Sequence, residues 1–405
     1  MQRFVCFSRE KDEVNIFSMN ILIVNYEYPP IGAGAGIQSQ ILAEELSKRH
    51  RVMVLTSSFR GVASEELKNE NLIIRRVPTL RRYEYRALPI ELILFFFTGL
   101  VASWRMIRKD KIDVTIAFFT TPCGYIASAL KKIFKIPYLV SLRGFDVPGF
   151  FSEDFGLLQT LNLPLIKATW RYADGVVANS NALADLAAKT AHGLNIAVIP
   201  NAVEKETLLR NRPSNKKDKE DGIVRILTVG RLTKQKGIEY LIEGLSLLGK
   251  DEKYHLDIVG DGTLKMALAE KADHYGMRQN VIFHGWLDRN KLSDLYQKAD
   301  IFVLLSLDEG MSNVLLEALS SALPIIATDI SANRPLISDG VNGFLVPVKD
   351  KVAVAEKLSR LMKNPELRNR FSEESIKIAK DFLPEKMAAS YENACQRILE
   401  RKNFK

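Results

Sequence analysis

The chain of 405 residues has three cysteines, Cys6, Cys123 and Cys395. They are too few and too scattered for a disulfide framework or a thiolate metal site, which fits a reducing cytoplasm and three buried or incidental thiols. No Asp-x-Asp occurs, so a carboxylate-held divalent metal has no obvious seat. The histidines, His50, His192, His255, His274 and His284, show no spacing that puts two metal ligands on one helix or turn. His284, in FHG at a strand end, is better read as structural than as part of a cleft. An unbroken apolar run of the ~20 residues that a spanning helix needs is also missing. The run LPIELILFFFTGLVASW, Leu88 to Trp104, is shorter and is interrupted by Glu91. A buried helix is the preferred reading of it, ahead of a surface segment dipping into lipid headgroups. Residues 1–18 lack the apolar core of a signal peptide and read as a flexible N-terminal extension, outside the fold.

Composition is that of an ordinary globular protein, 47% hydrophobic and 26% charged. The length favours two domains over one core. A net charge of +9 raises the question of nucleic acid, but the surplus is local: Arg75 to Lys111 holds 9 Lys+Arg against 3 Asp+Glu. No nucleic-acid motif accompanies it, so nucleic acid is not expected as a partner. Arginines on both sides of the apolar run suit an anionic membrane surface instead.

From Asn20 onward short apolar runs alternate with helical patterns. Ile21–Asn25, Arg51–Thr56, Val114–Phe118, Tyr138–Ser141, Gly175–Ala178 and Ala197–Ile199 read as strands, with a helix over Ile37–Lys48. Arg210–Gly222, RNRPSNKKDKEDG, has linker composition. The alternation restarts at IVRILTV and continues through HLDIV, VIFHG, DIFVLL and PIIATD. The fold class is therefore α/β: two Rossmann-like, doubly wound parallel-sheet domains facing a central cleft. In such sheets ligands bind beyond the strand carboxyl ends.

The stretch ILIVNYEYPPIGAGAG sets glycines at 32, 34 and 36 after two prolines. A dinucleotide site requires G-x-G-x-x-G directly after the strand and an acidic residue closing the next one. Here the spacing differs and the second strand ends Thr56-Ser57-Ser58, so that reading fails, and no P-loop motif occurs. What remains is a Cβ-poor loop at a helix N-terminus, able to offer N–H groups to an anion or simply to supply unusual dihedrals. The second half is more specific. IVRILTV runs into Gly230-Arg231-Leu232-Thr233-Lys234-Gln235-Lys236-Gly237, where Arg231 and Lys236 can clamp a diphosphate. DIFVLLS runs into LDEGMSNVLLEAL, with Glu309 and Glu317 eight apart and Ser312-Asn313 placed to cap the helix carrying Glu317. That helix N-terminus adds amides and partial positive charge to the same site.

The ordered set GRLTKQKG, EGMSNVLLE, VGDG, FHG and IPNAV, with YPPIGAGAG and SLRGFDVPGF in the first half, resembles the retaining GT-B glycosyltransferases of family four, the group 1 glycosyltransferases with an E-x7-E signature. The likeness runs from about Met19 to the end of the chain. It implies domains at 19–203 (acceptor side) and 223–380 (nucleotide-sugar donor side), a linker at 204–222 and a C-terminal helix, 381–405, packing back on the first domain. By the same resemblance Arg231 and Lys236 hold the donor diphosphate and Glu309 the sugar hydroxyls, these three forming the catalytic set. Gly34, Gly36, Gly230, Gly310, Met311, Ser312, Asn313 and Glu317 bind the donor, with Glu317 on the ribose. Many members have a histidine where this chain has Arg143, so Arg143 and Asp146 are taken as acceptor or sugar contacts.

The implied reaction moves a sugar, with retention, from a nucleotide-diphosphate sugar to an acceptor hydroxyl, using neither cofactor nor metal. Leaving-group charge can be met by cations and a helix N-terminus. The family resemblance suggests a lipid-linked or saccharide acceptor in cell-envelope polysaccharide or glycolipid synthesis. The enzyme would be cytoplasmic, or peripheral on the cytoplasmic face of the membrane through Arg75–Lys111. Alternatives on the same fold are a nucleotide-sugar epimerase or phosphorylase and, from another class, a basic nucleic-acid-binding protein.

Overall fold

The computed structural model describes residues 18–32, 34–83, 87–150, 152–203, 222–249 and 251–403. The N-terminal extension 1–18 and the linker 204–222 therefore lie, but for one residue each, outside the described residues, as does Arg86.

The first sheet has eight strands in the order β3-β4-β2-β1-β5-β6-β7-β8. They are β1 (Asn20–Val24), β2 (Arg51–Ser57), β3 (Glu65–Asn69), β4 (Leu72–Val77), β5 (Val114–Phe118), β6 (Tyr138–Leu142), β7 (Gly175–Ala178) and β8 (Ile196–Val198). All neighbours are parallel except β3 on β4. The β3/β4 ribbon is absent from the sequence reading, and its outer strand EELKN shows why. On an exposed edge no alternation is imposed, and Leu67 there is 68% exposed.

The second sheet, β11-β10-β9-β12-β13-β14, is wholly parallel. It comprises β9 (Val224–Val229), β10 (Tyr254–Val259), β11 (Val281–Gly285), β12 (Ile301–Leu304), β13 (Ile325–Thr328) and β14 (Gly343–Val346). In both halves near-continuous apolar strands sit between two helical layers, as burial on both faces requires.

On one side of the first sheet lie α2 (Pro89–Lys109), α3 (Tyr125–Phe134), α4 (Ser152–Tyr172) and α5 (Asn181–Thr190). The other side is covered by α1 (Gly34–Leu46) and by a helix from far along the chain. The second sheet carries α6 (Ile238–Leu245), α7 (Lys265–His274), α8 (Arg289–Lys298), α9 (Asn313–Ser320), α10 (Lys351–Met362) and α11 (Pro365–Ala379). After α11 the chain returns as α12 (Pro384–Asn403), whose Met387, Ala388, Tyr391, Cys395 and Ile398 join the core formed by Ile21, Ile23, Leu42 and Leu46 of the first domain. Cys123 and Cys395 are free and buried, and burial pushes the Cys395 thiol up to about 12.

The apolar run Leu88–Trp104 corrects the expectation of a buried helix. It becomes the body of α2, but only one face is covered: Phe95, Gly99, Ser103 and Met106 are buried, while Ile90, Ile93, Phe97, Val101 and Trp104 are exposed. Glu91, which interrupts the run, is buried because its carboxylate accepts from the Leu88 and Arg82 amides and so fixes the start of the helix.

Candidate active site

In each sheet the strand order reverses once, between β1 and β5 in the first and between β9 and β12 in the second. A crevice opens beyond the carboxyl ends at such a reversal. The segment after β1 is the glycine loop; those after β9 and β12 are GRLTKQKG and SLDEGMS. The three stretches the sequence singles out are thus the three that flank the crevices.

After β9, Gly237 has φ +60 and its absent Cβ would lie 2.1 Å from the Leu305 carbonyl oxygen, so only glycine lets this turn pack beneath β12. Leu307 donates its amide to Gln235, and the Gln235 side chain donates to the Asp308 carbonyl at 3.0 Å. This tie between the two segments brings Lys236 to Glu309: Nζ bonds Oε1, and Ser306 donates its hydroxyl to the same oxygen at 2.7 Å. Both side chains are largely enclosed, at 14% and 10% exposure. Arg231 is exposed and its guanidinium lies 5.1 Å from the centre of the Phe145 ring of the first domain. Gly230 is approached by Gly260, whose Cβ would fall 1.9 Å from the Gly230 carbonyl, which gives the VGDG landmark a packing reason.

Helix α9 begins at Asn313 with Ser312 in the N-cap position, but the Ser312 side chain makes no cap hydrogen bond. Its buried hydroxyl has no partner among the described residues. Among the described residues no N-cap side chain takes up the first amides of α9, an anion-binding arrangement. Glu317 lies one turn further along. The Tyr296 hydroxyl of α8 donates to its Oε2 at 2.9 Å. Burial pushes its carboxyl above the ordinary carboxylate range, against the opposing pull of that hydrogen bond and of Arg289.

The first domain closes on this helix end. A Cβ on Gly34 would stand 2.3 Å from Asn313 Nδ2, and one on Gly310 would stand 3.4 Å from Asn179 Oδ1. Asn201, in the landmark IPNAV, donates its side-chain amide to Asn313 Oδ1 at 2.7 Å and its backbone N–H to the Met311 sulfur at 3.1 Å. Gly36 packs within its own loop, where a Cβ would meet the Ile31 carbonyl at 3.3 Å.

Arg143 and Asp146 form a buttress in the first domain. Arg143 donates to Asn201 Oδ1 at 2.7 Å and to the Tyr391 hydroxyl at 2.8 Å, and its guanidinium lies over the Phe118 ring at 4.1 Å. Asp146 accepts from the amides of Thr120, Arg143 and Gly144 and from the Thr120 hydroxyl. Burial raises its carboxyl and these donors oppose the shift. Burial likewise lowers Arg143. Both side chains are engaged with protein groups, so in this conformation they shape the cleft wall and the polar relay Tyr391–Arg143–Asn201–Asn313 crosses between domains. A cavity of about 310 Å³ beside them is lined by Phe150, Leu186 and Lys189 from the first domain and by Asp308, Glu309 and Ser331 from the second.

Three residues of this site escaped the sequence reading. Asn201 stands within a quoted landmark and its asparagine was the available signal. Tyr296 and Arg289 sit on an ordinary amphipathic helix whose sequence carries no mark of their position. His284 bonds Asp257 at 2.7 Å, in keeping with a structural histidine. Among the described residues no group of three or more His, Cys, Asp or Glu is arranged to hold a metal ion.

Two family models match the chain. One, described as Glycosyltransferase Family 4, matches residues 32–207, and the other, described as Glycosyl transferases group 1, matches residues 210–378. An uncharacterized glycosyltransferase of Methanocaldococcus jannaschii is 27% identical over 362 residues, covering 85% of this chain and 89% of that protein. A putative teichuronic acid biosynthesis glycosyltransferase of Bacillus subtilis is 27% identical over 370 residues, covering 84% and 89%. Among solved structures, HepE of Anabaena in complex with UDP and glucose superposes with a TM-score of 0.74 at 19% identity, over 94% of this chain and all of that one.

Proposed function

The chain belongs to the group 1 glycosyltransferases and has their GT-B fold, and from that premise we propose that it is a retaining transferase using a nucleotide-diphosphate sugar. The reading rests on one observation: Lys236, paired with the Glu309 carboxylate that Ser306 also holds, lies at the same strand reversal that presents the uncapped N-terminus of α9. Glu317 follows on that helix, in the position suited to a nucleotide ribose.

In the proposed reaction the bond from sugar C1 to the diphosphate oxygen breaks, and a bond from the acceptor oxygen to C1 forms on the same face. The acceptor proton passes to the departing phosphate oxygen. Negative charge growing on the diphosphate is met by Arg231, by Lys236, which its pairing with Glu309 holds in place, and by the α9 amides. Glu309 orients Lys236 and the sugar hydroxyls and is not itself the nucleophile. The presence of UDP and glucose in the HepE complex supports a uridine-type donor. The teichuronic acid relative supports a role in cell-envelope polysaccharide or glycolipid synthesis; within that role the acceptor is taken to be lipid-linked or saccharide and the reaction cytoplasmic.

The test is turnover of a nucleotide-sugar panel with a chelator present, the donor first chosen by thermal shift. Arg231→Ala and Glu317→Ala should each lower kcat/KM by about a hundredfold or more while remaining folded, as loss of a transition-state or ribose contact does. Folded variants with undiminished transfer would refute the assignment.

A further inference from the structure

Helix α2 is long and apolar enough to cross a membrane by length and composition, yet its inner face is committed to the fold. A Cβ on Gly99 would lie 2.9 Å from Ile126 of α3, and Phe95 and Met106 are fully enclosed. The helix cannot leave without opening the first domain's core, so spanning is excluded by packing. Among the described residues its outer face has no partner. Ile90, Ile93, Phe97, Val101 and Trp104 recur at steps of three and four and form one stripe.

The stripe continues into charge. Arg108 falls on the same face and stacks over Trp104 at 3.9 Å, while Arg105 and Lys109 flank it in the open. At the other end the loop from β4 presents Leu80, 79% exposed, and then Arg82. The cations nearer β4 are differently placed: Arg76 and Arg81 are buried on backbone carbonyls, and Arg75 pairs with Glu65. Arg81 is therefore not a surface cation. Beside the stripe, Ile133 on α3 and Leu161 and Leu165 on α4 extend the apolar area across the same helical layer.

We infer that this α2-centred layer is a docking surface for an anionic lipid bilayer, with the helix lying in the interface plane. The surface suits a bilayer better than a second protein because apolar side chains along the axis are bracketed by arginines and lysines at the ends, the distribution that buries stems in the acyl boundary and leaves charges among headgroups. Direction matters as well. Strand β4 is parallel to β1, so α2 starts at the strand-end edge where the glycine loop meets α9 and runs away from it. A bilayer on this layer would meet the rim of the crevice, where an amphiphilic acceptor in the bilayer could reach it.

The experiment is flotation of the full chain with phosphatidylcholine vesicles, with and without phosphatidylglycerol. Wild type should float with the anionic vesicles. Phe97→Ser with Trp104→Ser, and separately Arg105→Gln with Arg108→Gln, should each reduce the bound fraction about tenfold or more. Both should retain the wild-type melting temperature and nucleotide-sugar binding, which separates this surface from the donor site. The inference is overturned if wild type ignores anionic vesicles, if both variants float undiminished, or if sedimentation shows a dimer that Phe97→Ser with Trp104→Ser dissociates.

Discussion

Glu317, proposed above to hold the nucleotide ribose, carries a cost to stability. Its carboxyl is raised by burial, so between the ordinary carboxylate value and the raised one the native protein holds a proton that the unfolded chain has released. Stability from this group is therefore full at low pH and falls as pH rises through that window. Glu317→Gln has no such proton and keeps an acceptor for Tyr296. Its melting temperature relative to wild type should climb as pH increases from about 4.3, the ordinary glutamate value, while nucleotide binding weakens at neutral pH. Thermal melts across pH check this, and a difference that does not move with pH would contradict it. At this scale the sequence was legible where a motif fixes spacing, as for Lys236, Glu309 and Glu317. Tyr296 and Arg289 were not, because their role depends on how α8 lies against α9, which no local pattern encodes.

Among elements, the parallel strands were legible because burial on both faces leaves continuous apolar runs. The outer strand β3 was not, being an exposed edge, and β14, though no shorter than β7, β12 or β13, went unread. Helix α2 was legible as a helix but misread in burial, since composition counts apolar residues without saying which face is packed. Helix α12 carries the clearest energetic consequence. Tyr391 is 1% exposed, and its ring stacks on Phe118. Its hydroxyl meets Ser141 at 2.7 Å and Arg143 at 2.8 Å. Tyr391→Phe should cost about 1–2 kcal/mol by chemical denaturation, because a buried guanidinium loses a partner while packing is kept. A change within error would show that the relay through Arg143 is incidental.

For the whole molecule, one meeting point of the two domains requires a glycine. Gly34 and Asn313 leave no room for a methyl group between them. Gly34→Ala should hold the crevice open, raising the KM for donor about tenfold, the equivalent of about 1.4 kcal/mol, with little change in melting temperature because neither core is touched. Steady-state kinetics against donor concentration decides it, and an unchanged KM would mean that closure is not needed for binding. The two-domain α/β plan was legible from the restart of alternation after Gly222. How the facing surfaces fit was not, because that depends on distances between residues far apart in the chain.

Helix α12 has a consequence for synthesis. The first domain's strands are complete at Val198, yet part of its core arrives with Met387, Tyr391 and Ile398. At a translation rate of 5–20 residues per second the ribosome needs roughly ten to forty seconds to make the intervening stretch. Through that interval the apolar face of α1 and β1 lacks its cover, and the second domain, whose core draws on nothing from α12, is the first able to fold to completion.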